Sequence, residues 1–415
     1  MSRTVNPIPA AHPSDLKLNN RIQILELFKS GEVYSVADIS RKIGISRQTV
    51  MKAVQFFMEK GIVVSEGKAE SGSMGGKRAE LYSLSANQYL FSVLISPDYL
   101  YIALINYRNE IIDTFIDREI PSLGVEEILN MTGTACYRLL LNNEIKQRDV
   151  HGICVATSGI VDHSTNVLKF NSLLPGWGRD IRIAEKLSAF FGTDVLVLVE
   201  NVGKVCGSAF LHERQFQGRR SVTLFSSWGG VCACLMENGH ILNGKDALIG
   251  EIGHMMLDPA DTEVCGCGSH GCFERQVSDD RIRRFVGELA AQYPDSPLCH
   301  LPMNSVCARE VFAASRQGDA LAAAIVDRLA RYFAVALRNV TLLFNPDQVI
   351  LQGDYADADE RFRDALTQEL RAFNYYDSPG PFALHTDGRS IRELATLGAY
   401  TLLIDRLFSE EAMFV

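Results

Sequence analysis

A pattern of strands followed by helices occurs twice in the body of this 415-residue chain, and this repetition limits its fold more than any other feature. Three consecutive strand-like runs between residues 91 and 115 lead into a helical stretch over 125–141 and then into further buried strands. A second set begins with a hairpin over 221–236 and continues into long helices over about 309–344. Strand meanders that alternate with helices in this way predict a duplicated α/β architecture.

The composition excludes several classes of protein. With 47% hydrophobic residues, 22% charged residues and a mean hydropathy of +0.03, the chain has the balance of an ordinary globular protein. It contains no run of about 18 apolar residues, and its first residues lack the apolar core of a signal peptide, so we expect a cytoplasmic protein with no membrane partner. Ten cysteines in a chain of this length favour metal-binding or core roles over a disulfide scaffold.

Charge is distributed unevenly along the chain. Residues 1–84 contain 12 Lys/Arg and 8 Asp/Glu, whereas residues 85–415 contain 29 and 42. A mildly basic segment ahead of an acidic body suits a segment that meets a polyanion. A small excess of positive charge in residues 1–84 does not by itself indicate a polyanionic partner. It does so only together with the pattern of helices in this segment.

The basic segment contains the signals of a winged helix-turn-helix domain, which we place at residues 14–84. Ser35 and Ser46 are the expected N-caps of a second and a third helix, and Asp38 stands at the capping-box position of the second. Two helices joined by a tight turn at Gly44 are the helix-turn-helix pattern. Two short strand-like runs on either side of a basic loop predict the wing.

The third helix is expected to carry the contacts to double-stranded DNA. Its residues Val50, Val54 and Phe57 keep the helical period and would face the domain core. Short polar side chains at the start of such a helix reach base edges, so we expect Gln48 and Thr49 to contact an operator. Phosphate contacts are expected from basic residues of the helix and the wing, namely Arg47, Lys52, Lys77 and Arg78.

A histidine and three cysteines form the strongest chemical signal in the body. His254 is followed by Cys265-Gly-Cys267-Gly-Ser-His-Gly-Cys272. Three thiolates and one imidazole make a complete tetrahedral ligand set for Zn²⁺, and since no position is left for water the site would be structural. His270 lies inside the same loop and offers a competing nitrogen, so the choice between the two histidines stays open.

Several segments resemble the signature of the ROK family of repressors and sugar kinases. The clearest is Gly250-Glu-Ile-Gly-His254, followed by the cysteine loop and Phe273-Glu274. Further likeness is found at residues 152–162, 171–177 and 345–353. The resemblance extends over residues 15–410, because regulators of this family carry a winged helix-turn-helix ahead of a sugar-kinase-like body.

The resemblance implies an α/β fold in which the winged helix-turn-helix precedes a two-lobed actin-like (ribonuclease-H-like) ATPase fold. The first lobe would comprise residues 85–202 plus 385–415. The second lobe, with the zinc-binding loop, would comprise residues 203–384. A ligand cleft is expected between the lobes.

Sugar-binding members of the family use amide, carboxylate and imidazole side chains, and the resemblance carries these roles to positions in this chain. The matching residues are Asn171, Asn201, Glu251, His254 and Glu274. A sugar presents adjacent hydroxyl groups with which carboxylates and amides can pair. The resemblance therefore implies a sugar or sugar-phosphate effector in the cleft.

The segments that would bind ATP depart from the kinases of the family. Val202 stands where the kinases carry an aspartate general base, and an isopropyl group cannot accept a hydroxyl proton. The two phosphate loops, around Ser96 and over Phe225–Val231, lack glycines whose backbone would cradle phosphate. We therefore predict no kinase activity and no catalytic residues, and we expect Trp228 to intrude toward the cleft.

These features together predict a DNA-binding transcriptional regulator of carbohydrate metabolism, with repression as the expected sign. Its kinase-derived body would sense a sugar-like ligand and form a homodimer or a dimer of dimers. Two alternatives stay open at this point. One is a ROK-family sugar kinase with an added N-terminal domain, and the other is a ligand-independent regulator that responds to a protein partner.

Overall fold

The computed structural model describes residues 13–68, 78–120, 123–372 and 382–409. A small N-terminal domain precedes two α/β lobes, each of which is built on a five-stranded sheet. The helices within these ranges lack the combination of length and apolar character that a membrane span requires.

The N-terminal domain forms the helices and the wing that its capping signals predict. Its elements in chain order are α1 (Pro13–Phe28), β1 (Tyr34–Ser35), α2 (Val36–Ile43), α3 (Arg47–Glu59), β2 (Val63–Lys68) and β3 (Glu80–Leu84). The strands form a sheet of order β1-β3-β2. Ser35 Oγ accepts a hydrogen bond from the Asp38 N–H, and Asp38 accepts one from the Ser35 N–H, which confirms the capping box. Ser46 caps α3 in the same way.

Helix α3 packs one face into the core of this domain and leaves the other face in solvent. Val50, Val54 and Phe57 are fully buried, as their spacing predicts. They share a hydrophobic cluster with Ile24 and Phe28 of α1. The core therefore fixes which residues of α3 point outward.

The first lobe is a mixed sheet with helices on its faces. Its elements in chain order are β4 (Tyr89–Ile95), β5 (Leu100–Asn106), β6 (Ile111–Asp117), α4 (Val125–Asn142), β7 (Val150–Thr157), β8 (Ile160–Asp162), β9 (Val167–Phe170), β10 (Arg179–Ile181), α5 (Ile183–Phe191), β11 (Leu196–Asn201) and α6 (Val202–Ser208). The main sheet has the order β11-β7-β4-β5-β6, and β8, β9 and β10 form a small separate sheet.

The second lobe repeats this plan. Its elements in chain order are β12 (Arg220–Ser227), β13 (Gly230–Glu237), β14 (His240–Ile241), α7 (Phe273–Gln276), α8 (Asp279–Leu289), α9 (Ala308–Arg316), α10 (Ala320–Phe344), β15 (Gln348–Gly353), α11 (Glu360–Ala372) and β16 (Ala383–Thr386). The sheet has the order β14-β13-β12-β15-β16. The chain then returns to the first lobe as α12 (Ile391–Leu407), which packs on β4 and β7.

The two sheets share one pattern of pairing. In each, an antiparallel meander of three strands, β4-β5-β6 or β12-β13-β14, is extended by two parallel strands. The parallel strands are β7 and β11 in the first lobe and β15 and β16 in the second. The predicted duplicated α/β architecture is confirmed in this repetition.

The connections between the lobes differ in detail from the expected boundaries. His385 and Thr386 belong to β16 and pair with β15, so a boundary after residue 384 would divide a strand. We propose that the second lobe extends to Thr386. Helix α6 is wholly buried and contacts both α12 and the β12–β13 hairpin, so it lies where the lobes meet.

Candidate functional site

A histidine and three cysteines meet at the edge of the second lobe. The ligand atoms of His254, Cys265, Cys267 and Cys272 lie within 4.8 Å of one another. The Sγ atoms of Cys267 and Cys272 are 3.7 Å apart, and Cys265 Sγ is 3.6 Å from His254 Nδ1. A tetrahedron with metal–sulfur bonds of about 2.3 Å has edges of about 3.8 Å, so these spacings suit a metal ion.

His254, and not the exposed His270, joins the cysteines in the cluster. Gly271 has a φ of +65° and lies so close to Asp258 that a Cβ atom would be 1.9 Å from the carbonyl oxygen. Only glycine allows this approach. The His270 side chain is exposed, and within the described ranges the cluster takes its nitrogen from His254.

The three cysteines would have to lose their protons in order to bind a cation. Burial raises the pKa of the Cys265 thiol, and burial together with the neighbouring Cys267 raises that of Cys272 to about 11. Thiols with such pKa values stay protonated near neutral pH unless a metal displaces the protons. The residues present therefore fit a metal ion that would hold them as thiolates.

The histidine–cysteine cluster is in contact with the neighbouring acidic side chains. His254 Nδ1 faces the cysteines, and its Nε2 lies 3.8 Å from Glu251 Oε2. Glu274 accepts a hydrogen bond from Cys265 Sγ at 3.0 Å through Oε1 and one from the Val231 N–H at 3.4 Å through Oε2. The cysteine loop is therefore in direct contact with the Glu274 carboxylate.

A cleft of about 510 Å³ opens between the lobes beside this cluster. It is lined by the predicted ligand-binding residues Asn201, Glu251, His254 and Glu274. The remaining lining with polar side chains, which the sequence does not mark as ligand-binding, comprises Ser158, Lys169, Ser172, Arg179 and Ser227. The apolar lining comprises Ile160, Phe170, Leu173, Val202, Phe225, Trp228 and Val231, so Trp228 lies at the cleft as expected.

Asn171, the fifth predicted ligand-binding residue, lies beneath the cleft surface. It is fully buried, and its Oδ1 accepts hydrogen bonds from Ser158 Oγ and from the backbone N–H groups of Leu173 and Leu174. Its buried Nδ2 has no hydrogen-bond partner among the described residues. The Oδ1 atom thus shapes the turn that carries Leu173, and the Nδ2 atom is left to donate.

Asn201 is also engaged in holding the local backbone. Its Oδ1 accepts the Gly203 N–H at 2.8 Å, which caps α6, and its Nδ2 donates to Gly159 O at 2.8 Å. These bonds join the end of β11 to the turn between β7 and β8. Asn201 therefore fixes the wall of the cleft between the two lobes.

A buried lysine lies beneath the acidic side of the cleft. Lys204 is 3% exposed, and its Nζ is 3.9 Å from Glu200 Oε1. Burial raises the pKa of Glu251 to about 7; Lys204 acts in the opposite direction, whereas Glu274 and Glu200 raise it further. The sequence analysis did not place Lys204 in the site, although a lysine in the apolar segment after Glu200 was an available signal.

The predicted DNA-contacting residues lie on the solvent face of α3 and at the wing. Arg47, Gln48 and Lys52 are exposed, whereas Thr49 is half-buried and its Oγ1 is 2.9 Å from Ser46 Oγ in the helix cap. Arg78 is exposed just before β3, and Lys77 falls outside the described residues. Met51 and Gln55 are also exposed on α3, and the sequence analysis did not include them.

The N-terminal domain is attached to the first lobe by polar contacts. Lys29, which follows α1, donates from Nζ to Asp405 Oδ1 of α12 at 2.7 Å, and His212 Nε2 lies 2.9 Å from the same oxygen. Arg108 of the first lobe forms an ion pair with Glu66 of β2. A cavity of about 870 Å³ lies where the domain and the two lobes meet.

Comparisons with known proteins agree with this arrangement. A model of the ROK family matches residues 99–406, and a model described as "Winged helix-turn-helix DNA-binding" matches residues 18–64. The chain is 26% identical over 276 residues to a glucokinase of Halalkalibacterium halodurans, a match that covers 65% of this chain and 82% of the glucokinase. It is 22% identical over 374 residues to the DNA-binding transcriptional dual regulator NagC of Escherichia coli K12. That match covers 85% of this chain and 88% of NagC.

The fold also matches that of a solved regulator. The crystal structure of a ROK family transcriptional regulator, a homologue of the Escherichia coli MLC protein, superposes with a TM-score of 0.77 at 20% identity. The superposition covers 96% of this chain and 98% of that regulator, and it confirms the winged helix-turn-helix and the two-lobed actin-like body. Since the family match spans more than half of its residues, this chain belongs to the ROK family.

Proposed function

We propose that this chain is a DNA-binding transcriptional regulator of carbohydrate metabolism, a repressor whose body binds a sugar-like ligand without converting it. The observation that carries the proposal is the solvent face of α3, where Arg47, Gln48 and Lys52 are exposed opposite a buried apolar face. A helix with this polar face fits the major groove of DNA. A regulator aligned over 85% of the chain supports the same function.

The first test identifies the operator and the residue that reads it. Genomic DNA fragments captured on the full-length protein would supply the operator, and Gln48→Ala should then weaken its binding by about 1–3 kcal/mol, the usual cost of one lost base contact. Binding to unrelated DNA should not change. Lys146→Ala, which alters an exposed residue of the body, is the control. Asn143→Ala is not suitable, because the Asn143 side chain is hydrogen-bonded. Equal operator binding by Gln48→Ala and the unaltered protein would contradict the assignment.

The cleft supports binding without phosphoryl transfer. Val202, where the kinases carry their base, is 4% exposed and lines the cleft, so no proton acceptor stands at this position. The ring centroids of Tyr99 and Trp228 are 6.4 Å apart, which brings the two expected phosphate loops together. A cavity lined by Gly229, Gly230 and Asp354 measures only about 10 Å³, which leaves no room for a triphosphate there.

The alternative of an active sugar kinase predicts a measurable product. Incubation of the protein with ATP and a panel of monosaccharides should release no ADP above the level without sugar. Sugar-dependent ADP release would contradict the proposal and favour a kinase with an added DNA-binding domain. Binding of operator DNA with no response to any sugar would instead favour a regulator that responds to a protein partner.

We further propose that the cluster at His254 holds a structural zinc ion. Three sulfur atoms and one nitrogen complete a tetrahedral set, and such a set leaves no open position for water or substrate. The ion would supply no chemistry to a ligand. It would fix the cysteine loop and, through the backbone that runs from Cys272 to Glu274, the wall of the cleft.

We also propose that the protein acts as a two-fold dimer or a dimer of dimers. One winged domain presents a single recognition helix, which buries little surface on DNA. Two chains related by a two-fold axis would place two such helices on the half-sites of a pseudo-palindrome.

A further inference from the structure

A methionine lies exposed on the face of α3 that is expected to meet DNA. Met51 is 39% exposed, and the neighbouring residues Gln48 and Gln55 are exposed as well. With 3.6 residues per turn, Met51 lies about 60° around the helix axis from Gln48 and about 40° from Gln55. It is therefore one turn from each glutamine, and its apolar side chain stands among the polar side chains of the solvent face.

The N-terminal domain covers one edge of this face and leaves the other edge in solvent. Phe56, at the edge beyond Lys52, packs against the hydrophobic cluster of the domain. The guanidinium carbon of Arg21 on α1 lies 3.4 Å from the centroid of the Phe56 ring. Met51, at the opposite edge, is not among the described residues that form the cluster. Packing of the domain therefore does not account for a large apolar side chain at position 51.

The chemistry of the major groove limits what an apolar side chain can contact there. Base edges in this groove carry hydrogen-bond donors and acceptors, and the 5-methyl group of thymine is their apolar feature. A methionine side chain gains free energy when it covers an apolar group, because both lose contact with water. Placed against a base donor or acceptor instead, it would leave that polar group without a partner, which is unfavourable.

We propose that Met51 recognises a thymine of the operator through its 5-methyl group, and that it is a specificity-determining residue of α3. This inference rests on the proposed DNA-binding function and specifies the sequence of the DNA partner. The unbranched methionine side chain has three rotatable bonds, so it adapts to the position of the methyl group in the groove.

Helix geometry places this thymine close to the base that Gln48 is expected to contact. Three residues of an α-helix rise about 4.5 Å, whereas successive base pairs are about 3.4 Å apart. Along the groove, Met51 therefore meets a base pair one or two steps from that of Gln48. Glutamine pairs best with adenine. Each half-site is thus expected to contain two A·T pairs separated by at most one other pair.

The test removes the methyl group and keeps the base pair. Each thymine of the operator half-site, taken from the captured genomic DNA, is replaced in turn by deoxyuridine in synthetic duplexes, at the same position in both half-sites. Synthetic duplexes carry no methylated cytosine, so every methyl group in their major groove belongs to thymine. We expect one replacement, near the base contacted by Gln48, to weaken binding of the full-length protein by about fourfold for each half-site, the effect of one buried methyl group.

Variants at two methionines of α3 assign this effect to a side chain. Met51→Ala should bind the thymine and deoxyuridine duplexes equally, and Met51→Leu should keep most of the preference because it keeps an apolar side chain. Met58→Ala is the matched control, since Met58 is 40% exposed on the same helix. It lies about 10 Å farther along α3, beyond the residues at the start of the helix, so its preference for thymine should not change.

Thermal melting separates recognition from folding. Met51→Ala and Met58→Ala should melt within about 2 °C of the unaltered protein, because both side chains are exposed and surface substitutions change stability little. A preference for thymine that persists undiminished in Met51→Ala would overturn the inference, because the shape of the DNA or another side chain would then cause it.

The remaining outcomes distinguish this inference from the proposed function. If the unaltered protein binds its operator but tolerates deoxyuridine at every position, the inference is overturned and DNA binding stays in place. If the full-length protein captures no operator from genomic DNA, the inference and the DNA-binding part of the proposed function fail together.

Discussion

At the scale of single residues, His254 links the histidine–cysteine cluster to the cleft. Its Nδ1 is 3.6 Å from Cys265 Sγ, while its Nε2 faces Glu251 at 3.8 Å. An imidazole that binds a metal through one nitrogen is usually oriented by a hydrogen bond through the other. With the proposed zinc ion in place, its loss is therefore expected to release a side chain that lines the cleft.

Cys267→Ser is expected to remove the metal and destabilise the protein. Because Cys267 is exposed, the substitution removes little apolar packing, so a loss of stability would report the lost metal ligand. We expect substoichiometric zinc by elemental analysis and a free energy of unfolding lower by about 3 kcal/mol or more. Cys307→Ser, outside the cluster, is the matched control. Unchanged melting of the unaltered protein in a chelator would rule out a structural metal.

The sequence marks the metal ligands more clearly than it marks their geometry. Spacing and donor chemistry identify Cys265, Cys267 and Cys272, but His254 and His270 are both near enough along the chain to serve. The approach of Gly271 to Asp258, which the sequence does not reveal, accompanies the exposure of His270.

The same limit applies to the residues of the cleft. Asn171 was predicted to bind a ligand, and the structure places its Oδ1 on three local donors, leaving only Nδ2 unused within the described ranges. Residue type and motif suggest which side chain takes part in the site. The hydrogen-bond partners of each atom depend on the fold around it.

At the scale of elements, α3 was predictable because its signals are local. Ser46 caps it and its apolar residues repeat with the helical period, so the predicted start at Arg47 agrees with the structure. Helix α6 and the strands β8, β9 and β10 were not predicted. They contain seven residues or fewer, too few to show a period, and their formation depends on the packing of the surrounding lobes.

Lys52→Ala should weaken the binding of α3 to every DNA sequence by a similar factor. The Lys52 side chain is exposed on the solvent face of the helix, where a lysine contacts phosphate rather than bases. Affinity measured across a range of salt concentrations should show a slope lower by about 1. Lys146→Ala, which removes the same charge from the body, should leave the slope unchanged. Altered sequence preference in Lys52→Ala would argue for a base contact instead.

The contact between α1 and α12 is expected to depend on pH. Burial opposes ionisation of Asp405, but the hydrogen bond and charge of His212 and the charge of Lys29 outweigh it and lower the pKa of Asp405. Since the folded-state pKa is below the unfolded value of about 3.9, the carboxylate stabilises the fold above that pH. This contribution is lost as the pH falls through the folded-state pKa.

Asp405→Asn should therefore destabilise the protein near neutral pH only. We expect a free energy of unfolding lower by about 1 kcal/mol at pH 7, because the pair is partly exposed, and a difference that shrinks below about pH 4. Urea titrations at several pH values provide the measurement. Asp364→Asn, on the exposed side of α11, is the matched control. A destabilisation that did not change with pH would show that packing rather than charge is responsible.

At the scale of the whole molecule, a dimer is expected to require both half-sites of its operator. Footprinting should protect a pseudo-palindrome whose half-sites are centred about 10 bp or a multiple of that apart. Scrambling one half-site should weaken operator binding on the order of 100-fold. The second winged helix-turn-helix domain, held at high effective concentration by the first, then has no half-site to bind. Sedimentation of the complex should give two or four chains per operator. One chain bound to one half-site with full affinity would contradict the dimer.

We expect a ligand in the cleft to change operator binding by the winged helix-turn-helix domains by favouring one angle between the lobes. Helix α6 is positioned to couple the lobes, since it is buried against α12 on one side and the β12–β13 hairpin on the other. The change in operator affinity is limited by the difference between the ligand affinities of the two arrangements. A tightly bound sugar with no such difference would leave operator binding unaltered.

The two ends of the described chain are held together, and this has a genetic consequence. Lys29, just after α1, is hydrogen-bonded to Asp405, and Phe28 shares a hydrophobic cluster with Leu407 and Phe408. A stop codon late in the reading frame would remove α12, and with it both a face of the first-lobe sheet and the support of the DNA-binding head. A selection for derepressed colonies should therefore recover nonsense mutations in the codons for α12 as well as missense mutations in the codons for α3.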